Sequence, residues 1–144
     1  RNFKEQDFAK FHPGGSIGKN LTATVEQFIS SQKPLVEENS TIKDVIFSIS
    51  SSKHGITVVM DGHKISGVIT DGDLRRMLLK TDNIGGILAK DIMSKSPKTV
   101  EKDVLAKEAL TVLKQNNIGQ LIVTENGNYF GIIDLHRLLD EGIN

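Results

Sequence analysis

Residues Thr41 to Leu78, TIKDVIFSISSSKHGITVVMDGHKISGVITDGDLRRML, fall without a gap on Leu105 to Gly142, LAKEALTVLKQNNIGQLIVTENGNYFGIIDLHRLLDEG, when the chain is shifted by 64 positions. Lys43, Gly55, Val59, Gly67, Ile69 and Leu74 then meet Lys107, Gly119, Val123, Gly131, Ile133 and Leu138. Apolar positions meet apolar positions through most of the remainder, so two units of like fold follow.

Each unit reads the same way. Ile42, Val45, Ile46 and Ile49 recur at helical spacing, as do Ala106, Ala109, Leu110 and Leu113. Thr41 with Asp44 has the form of a capping box for the first helix, and Asp103 stands where an N-cap is expected for the second. ITVVM and QLIVT are strand segments, each leading through Asp61-Gly62 or Asn126-Gly127 into ISGVI or YFGII. Turns of that chemistry supply the positive φ that a hairpin needs. Leu74, Met77 and Leu78, matched by Leu135, Leu138 and Leu139, form the stripe of a second helix, and extended pieces at Leu35-Val36 and Thr99-Val100 precede each unit. The expected class is α/β (α+β), with two β-α-β-β-α units packed about a pseudo-two-fold axis because neither can cover its small sheet alone. Asn83, Gly85 and Gly86 interrupt the helical pattern, which puts a linker at residues 81–86. The expected divisions are residues 22–85 for the first unit and 86–144 for the second, with 1–21 outside the repeat.

Composition narrows the function. The chain has 144 residues, 18 Lys+Arg against 18 Asp+Glu, and no cysteine. A zero net charge argues against a nucleic-acid binder, and the lack of cysteine removes disulfides, thiolate nucleophiles and Cys-type zinc sites. No apolar run approaches the roughly 20 residues of a membrane span, and the first ten residues have no signal-peptide core. No membrane is expected as partner, and the expected location is the cytoplasm.

KDIMSKSPKTV opening the second unit and GVITDGDLRR closing the first together resemble the tandem cystathionine β-synthase (CBS) domain pair, over residues 22–144. The leading DFAKFHPGGSIGKNL, a His-Pro-Gly-Gly segment running into the pair, resembles the D-arabinose 5-phosphate isomerases. That family joins an N-terminal sugar isomerase domain to a CBS pair and interconverts D-ribulose 5-phosphate and D-arabinose 5-phosphate for Kdo, lipopolysaccharide or capsule synthesis. The resemblance makes residues 1–21 the tail of that domain plus linker, and the remainder its regulatory module. His12 would then serve catalysis only with the missing domain, since an aldose-ketose isomerisation needs acid-base groups and imidazole titrates in a useful range.

The resemblance also implies a ligand site between the units, where a Ser/Thr and an Asp three residues on meet the ribose and phosphate. Thr70 and Asp73 match. A carboxylate can accept from both ribose hydroxyls, and a helix N-terminus favours a phosphate; equally, Thr70 can cap the helix and Asp73 complement its dipole. The second unit has Asp134 and Arg137 at these places. Arg137 cannot accept ribose hydroxyl protons, so it either clamps an anionic group or pairs with Asp134 at i,i+3, the reading favoured from the residues. At most one nucleoside site of the usual type is therefore expected, centred on the first unit. Family geometry adds His54, Gly55, Ile56 and Thr57, and Ile118, Gly119 and Gln120, to the clefts. Gln120 could read a base edge, while Gly55 and Gly119 could equally close helices at C′.

Other motifs fail. PGGSIGKN misses the phosphate-loop pattern at Pro13 and Asn20, the four histidines show no metal-ligand spacing, and Ser48, Ser50, Ser51 and Ser52 carry no nucleophile-elbow motif. The chain itself is not expected to catalyse and requires no cofactor. The leading expectation is a module that senses an adenosine nucleotide or CMP-Kdo for an attached isomerase domain, in a homo-oligomer. The alternative is a structural module that dimerises the parent enzyme and binds nothing.

Overall fold

The computed structural model describes residues 20–144, so His12 and the His-Pro-Gly-Gly segment lie outside the described residues. Strand β1 (Leu35–Glu37) leads into helix α1 (Ile42–Ser52), which buries Ile42, Val45 and Ile49 of the apolar stripe but leaves Ile46 exposed at its edge. The Thr41 hydroxyl accepts the Asp44 amide hydrogen, which is one of the two bonds of the expected capping box. Strands β2 (Ile56–Asp61) and β3 (Lys64–Thr70) form the hairpin, and helix α2 (Asp71–Lys80) closes the unit. A one-turn helix α3 (Ala89–Ile92) and a short strand β4 (Ser94–Lys95) follow. The second unit repeats the order as β5 (Thr99–Glu101), α4 (Ala106–Gln115), β6 (Gln120–Glu125), β7 (Asn128–Asp134) and α5 (Leu135–Asp140). In both units the first strand lies parallel to the second and the hairpin is antiparallel, with a register shift at Val59/Met60 and again at the matching Val123/Thr124. No helix of the described residues is long and apolar enough to cross a membrane.

Two local expectations change. Helix α4 is capped by Leu105, not Asp103. Leu105 stands where Thr41 stands in the first unit but offers no side-chain acceptor, and the first helical amide, Ala106 N, instead donates to the Ala23 carbonyl at 2.7 Å. In the first hairpin Asp61 pairs with Lys64, so the loop is Gly62-His63 and Gly62 alone takes a positive φ of 63°. The second loop is Asn126-Gly127 as expected, both residues left-handed at 53° and 82°.

The larger difference lies in which segment packs where. Ala23, Val25 and Phe28 precede the first repeat but are buried with Ala109, Leu113 and Leu138 of the second. Ala89 precedes the second repeat but is buried with Val45, Ile69 and Leu74 of the first, and β4 extends the first sheet beside β3. The packed bodies therefore exchange their leading segments relative to the divisions 22–85 and 86–144. The exchange is symmetric: the bridge Thr24 to Leu105 maps under the 64-residue shift onto the bridge between Leu88 and Thr41. Gly67 and Gly131, also equivalent, admit the crossing segments. A Cβ on Gly67 would lie 2.8 Å from Met93 Sδ, and one on Gly131 would lie 2.8 Å from Ile29 Cγ2.

The two sheets meet face to face through Ile56, Val58, Met60, Ile122, Tyr129 and Ile132, with Ile65 and Val68 against them. Val58 and Ile122, Ile65 and Tyr129, and Val68 and Ile132 are equivalent pairs, so each unit presents the same surface to the other. The second hairpin is further tied by Glu101, which accepts from Thr124 Oγ1 (2.5 Å), Asn126 N (2.8 Å) and Gly127 N (3.1 Å). The Thr124 hydroxyl and then these amides hold the Glu101 carboxyl below its ordinary range. A carboxyl depressed in this way stabilises the fold above its unfolded pKa and loses that contribution as pH falls through its folded one. Glu101→Gln is expected to lower the unfolding midpoint near neutral pH, with the gap from the parent closing in acid. Thermal scans across pH check this.

Candidate functional site

Where β3 meets α2, Thr70 turns from extended backbone into the N-cap, and its hydroxyl accepts the Asp73 amide hydrogen at 3.1 Å. The Asp73 carboxylate returns the bond, accepting from Thr70 N (2.9 Å) and Thr70 Oγ1 (3.1 Å) on Oδ2, while Arg76 Nη2 donates to Oδ1 at 2.7 Å. The capping reading of this pair therefore holds in the structure. Arg76 is the exposed partner, its side chain 65% accessible against 12% for Asp73.

Thr70 also lines a cleft of about 330 Å³ between the two units. Ile56, Val68 and Ile122, from the facing sheets, give it an apolar floor. Lys98, Asn117 and Gln120 bring polar and cationic groups from the second unit, and Ile118 and Gly119 form the wall between them. An apolar floor with a few convergent polar groups is the usual make-up of a small-molecule site, and the volume lies at the lower end of the ordinary range of about 300–1,000 Å³. Of the residues expected from sequence, the structure brings Ile56, Thr70, Ile118, Gly119 and Gln120 together here. Asp73 stands behind Thr70, outside the lining.

The other expected residues form a different arrangement at the pseudo-symmetric position. His54 Nε2 lies 2.6 Å from Ser30 Oγ, and His54 Nδ1 lies 3.4 Å from Asp134 Oδ2 across the two units. Asp134 Oδ1 accepts the His136 amide hydrogen at 2.8 Å, capping α5, and Oδ2 accepts from Gln120 Nε2 at 3.4 Å. The favoured pairing of Arg137 with Asp134 does not form: Arg137 Nε pairs with Glu141 Oε2 at 3.4 Å, one turn along the helix, because Asp134 is held by the cap and by His54. Thr57 is fully buried on the opposite face of β2, bonded to Ser48 Oγ at 2.7 Å, so strand alternation turns it away from the cleft. Nearby, the buried Tyr129 hydroxyl donates to the Pro34 carbonyl at 2.8 Å, and burial pushes its pKa upward.

The glycines also differ from expectation. Lys53 (φ 62°) and Asn117 (φ 53°), not Gly55 and Gly119, are the left-handed residues that end the helices. Gly55 takes a second positive φ of 73° with Asp71 Oδ2 3.1 Å from where a Cβ would sit, whereas Gly119 has no positive φ and nothing within 4 Å. Sequence reasoning passed over Lys98, Asn117 and Ser30. Lys98 lies within the quoted KDIMSKSPKTV and Asn117 at the end of α4, and the repeat itself marks the residues before each unit's first two strands as facing the other unit.

Fold and cleft together define a paired α/β module with a small-molecule-sized crevice between like halves. The chain belongs to the CBS domain family, whose model matches residues 25–80 and again 89–144. It is 37% identical over 132 residues to a protein of Haemophilus influenzae named a probable arabinose 5-phosphate isomerase, covering 90% of this chain and 39% of that protein. It is 35% identical over 141 residues to the arabinose 5-phosphate isomerase KpsF of Escherichia coli, covering 97% of this chain and 42% of that one. The chain thus spans about two fifths of these relatives. Among solved structures it is similar to a CBS domain protein from Pyrobaculum aerophilum complexed with AMP, with a TM-score of 0.72 at 20% identity over 80% of this chain and 89% of the other.

Proposed function

We propose that this chain is the ligand-sensing module of a D-arabinose 5-phosphate isomerase and binds one adenosine nucleotide in the Thr70 cleft. The observation that carries the reading is the asymmetry of the two pseudo-equivalent positions: one is a cleft of about 330 Å³, and at the other His54 and Asp134 reach each other across the units. In the cleft the base lies against Ile56, Val68 and Ile122 near Gln120, and Lys98 offsets the phosphate charge. Thr70 offers its remaining lone pair to the ribose, and Asp73 joins it when Arg76, which is mostly in solvent, swings away. The AMP-bound structural neighbour supports an adenosine ligand, and the isomerase relatives support the sugar-phosphate context; CMP-Kdo is the pathway-specific alternative to the adenosine nucleotide. Ligand binding biases the attached domain only by its difference in affinity between arrangements of the two units.

Thermal unfolding with AMP, ATP and CMP-Kdo tests this. A ligand at 100 times its dissociation constant stabilises by about 2.7 kcal/mol, so a clear rise in midpoint is expected with an adenosine nucleotide, and no rise with any of the three overturns the reading. A second reading, a module that dimerises the parent without ligand, is favoured by one observation. Phe47 on α1 and Leu79 on α2 are 72% and 86% exposed, which leaves apolar side chains on two helices. Unchanged midpoints together with a dimer in sedimentation would select it.

A further inference from the structure

Gln120 belongs to two arrangements at once. The residue lines the Thr70 cleft, and its Nε2 donates at 3.4 Å to Asp134 Oδ2, the same oxygen that faces His54 Nδ1 at 3.4 Å. His54 is fixed on its other side by Ser30 Oγ at 2.6 Å, so a shift of Asp134 is not absorbed by a free ring. Asp134 is anchored at Oδ1 by the His136 amide, which leaves Oδ2 as the oxygen shared between the imidazole and the amide. The histidine and the aspartate are each less than one fifth exposed, with side-chain accessibilities of 17% and 18%, so their interaction is only partly screened by water.

The geometry points to a relay, His54 to Asp134 to Gln120, in which His54 is a positioning residue that sets the orientation of Gln120 in the nucleotide cleft and makes the affinity of that cleft depend on pH. This rests on the ligand reading above for its effect on affinity, but not for the relay itself. Imidazole is the side chain whose charge ordinarily changes between pH 5 and 8. A protonated His54 carries a hydrogen on both ring nitrogens, so Nε2 donates to Ser30 Oγ and Nδ1 donates to Asp134 Oδ2 as an ion pair. That charge-assisted bond draws Oδ2 toward the ring and loosens the uncharged bond from Gln120. A neutral His54 carries one ring hydrogen and makes at most an uncharged, weaker bond to Oδ2, which leaves more of that oxygen to Gln120, pins the amide nitrogen away from the cleft and presents the amide oxygen to the base.

The charged groups nearest His54 come from both units. Asp134 faces it from the start of α5, and Asp71, at the start of α2, places its carboxylate beside Gly55. Lys53 precedes it in the chain. On α5, His136 follows Asp134, and Arg137 is directed away to Glu141. Asp134, 3.4 Å from Nδ1, is the carboxylate that a protonated ring pairs with, so the relay is expected to switch as pH falls.

The test uses the 144-residue chain and its His54→Gln variant, which keeps a hydrogen-bonding side chain but cannot titrate. Without ligand, the Gln120 side-chain amide resonances are expected to move with pH in step with the His54 ring resonances, and to stay still in His54→Gln. An amide that ignores pH in the parent, or moves equally in the variant, overturns the relay whether or not any nucleotide binds. With AMP as the probe in titration calorimetry, affinity is expected to fall at least about threefold more for the parent than for the variant between about pH 8 and about pH 6. Protonation of the AMP phosphate enters both proteins alike and cancels in that comparison. Equal pH profiles overturn the link from relay to cleft, whereas no AMP binding at either pH overturns the ligand reading and leaves the resonances to judge the relay.

Discussion

Gly119→Leu is expected to remove AMP binding while leaving the unfolding midpoint close to that of the parent. Gly119 lies in the wall of the Thr70 cleft, has no positive φ, and has no neighbouring atom within 4 Å of where a Cβ would sit. The fold thus places no demand on glycine there, and the added side chain extends into a cavity of only about 330 Å³. A loss of at least about tenfold in affinity, or 1.4 kcal/mol, is expected. Calorimetric titration with AMP alongside a thermal scan separates the outcomes. A variant that binds as the parent does would show that the ligand does not enter this cleft, and one that unfolds would show that the open space is needed by the fold.

Gly67→Val has the opposite signature. Its Cβ would lie 2.6 Å from the Ser94 carbonyl oxygen and 2.8 Å from Met93 Sδ. The first of these is backbone and cannot rotate away, so strand β4 must leave β3 or the sheet must distort. Overpacking of a tight interior costs about 1–3 kcal/mol, and losing the β3–β4 pairs of Gly67 with Lys95 and Val68 with Ser94 adds to it. Denaturant titration is expected to show a fall in stability of about 3 kcal/mol, at the upper end of that range. If the stability is unchanged, β4 does not pack against Gly67 as described.

The contrast between these two glycines marks how far the sequence carries. Aligning the chain with itself revealed the units, their strand order, the apolar stripes and the equivalence of Gly67 with Gly131. Those features depend on local periodicity and turn chemistry, which each stretch expresses by itself. The same alignment could not show that Ala23, Val25 and Phe28 pack on the second unit and Ala89 on the first, because a short apolar segment before a repeat carries no label for the copy it joins. It also treated Gly55 and Gly119 alike, although one is required by a positive φ of 73° and the other faces open space.

The site was legible in a similar, partial way. The resemblance to CBS pairs implies Thr70, Ile56, Ile118, Gly119 and Gln120 at the clefts, and they do meet at one cleft. Thr57 departs from the implied cleft position by a single step of strand alternation, since Ile56 takes the cleft side and Thr57 the helix side. Helical spacing favours Arg137 pairing with Asp134 over an anion clamp, but spacing alone leaves out Glu141 and His54, which take the two partners instead. His54 lies 80 residues from Asp134 in sequence, and only the face-to-face packing of the units brings them together.

Amide-resolved NMR titration of the chain with AMP tests the cleft most directly. Shifts are expected at Val68, Thr70, Lys98, Asn117, Gly119 and Gln120, saturating at one equivalent of nucleotide, with the exposed face around Phe47 unchanged. Shifts confined to the Phe47 face, saturation at two equivalents, or a spectrum that does not respond to AMP would contradict a single nucleotide site beneath Thr70.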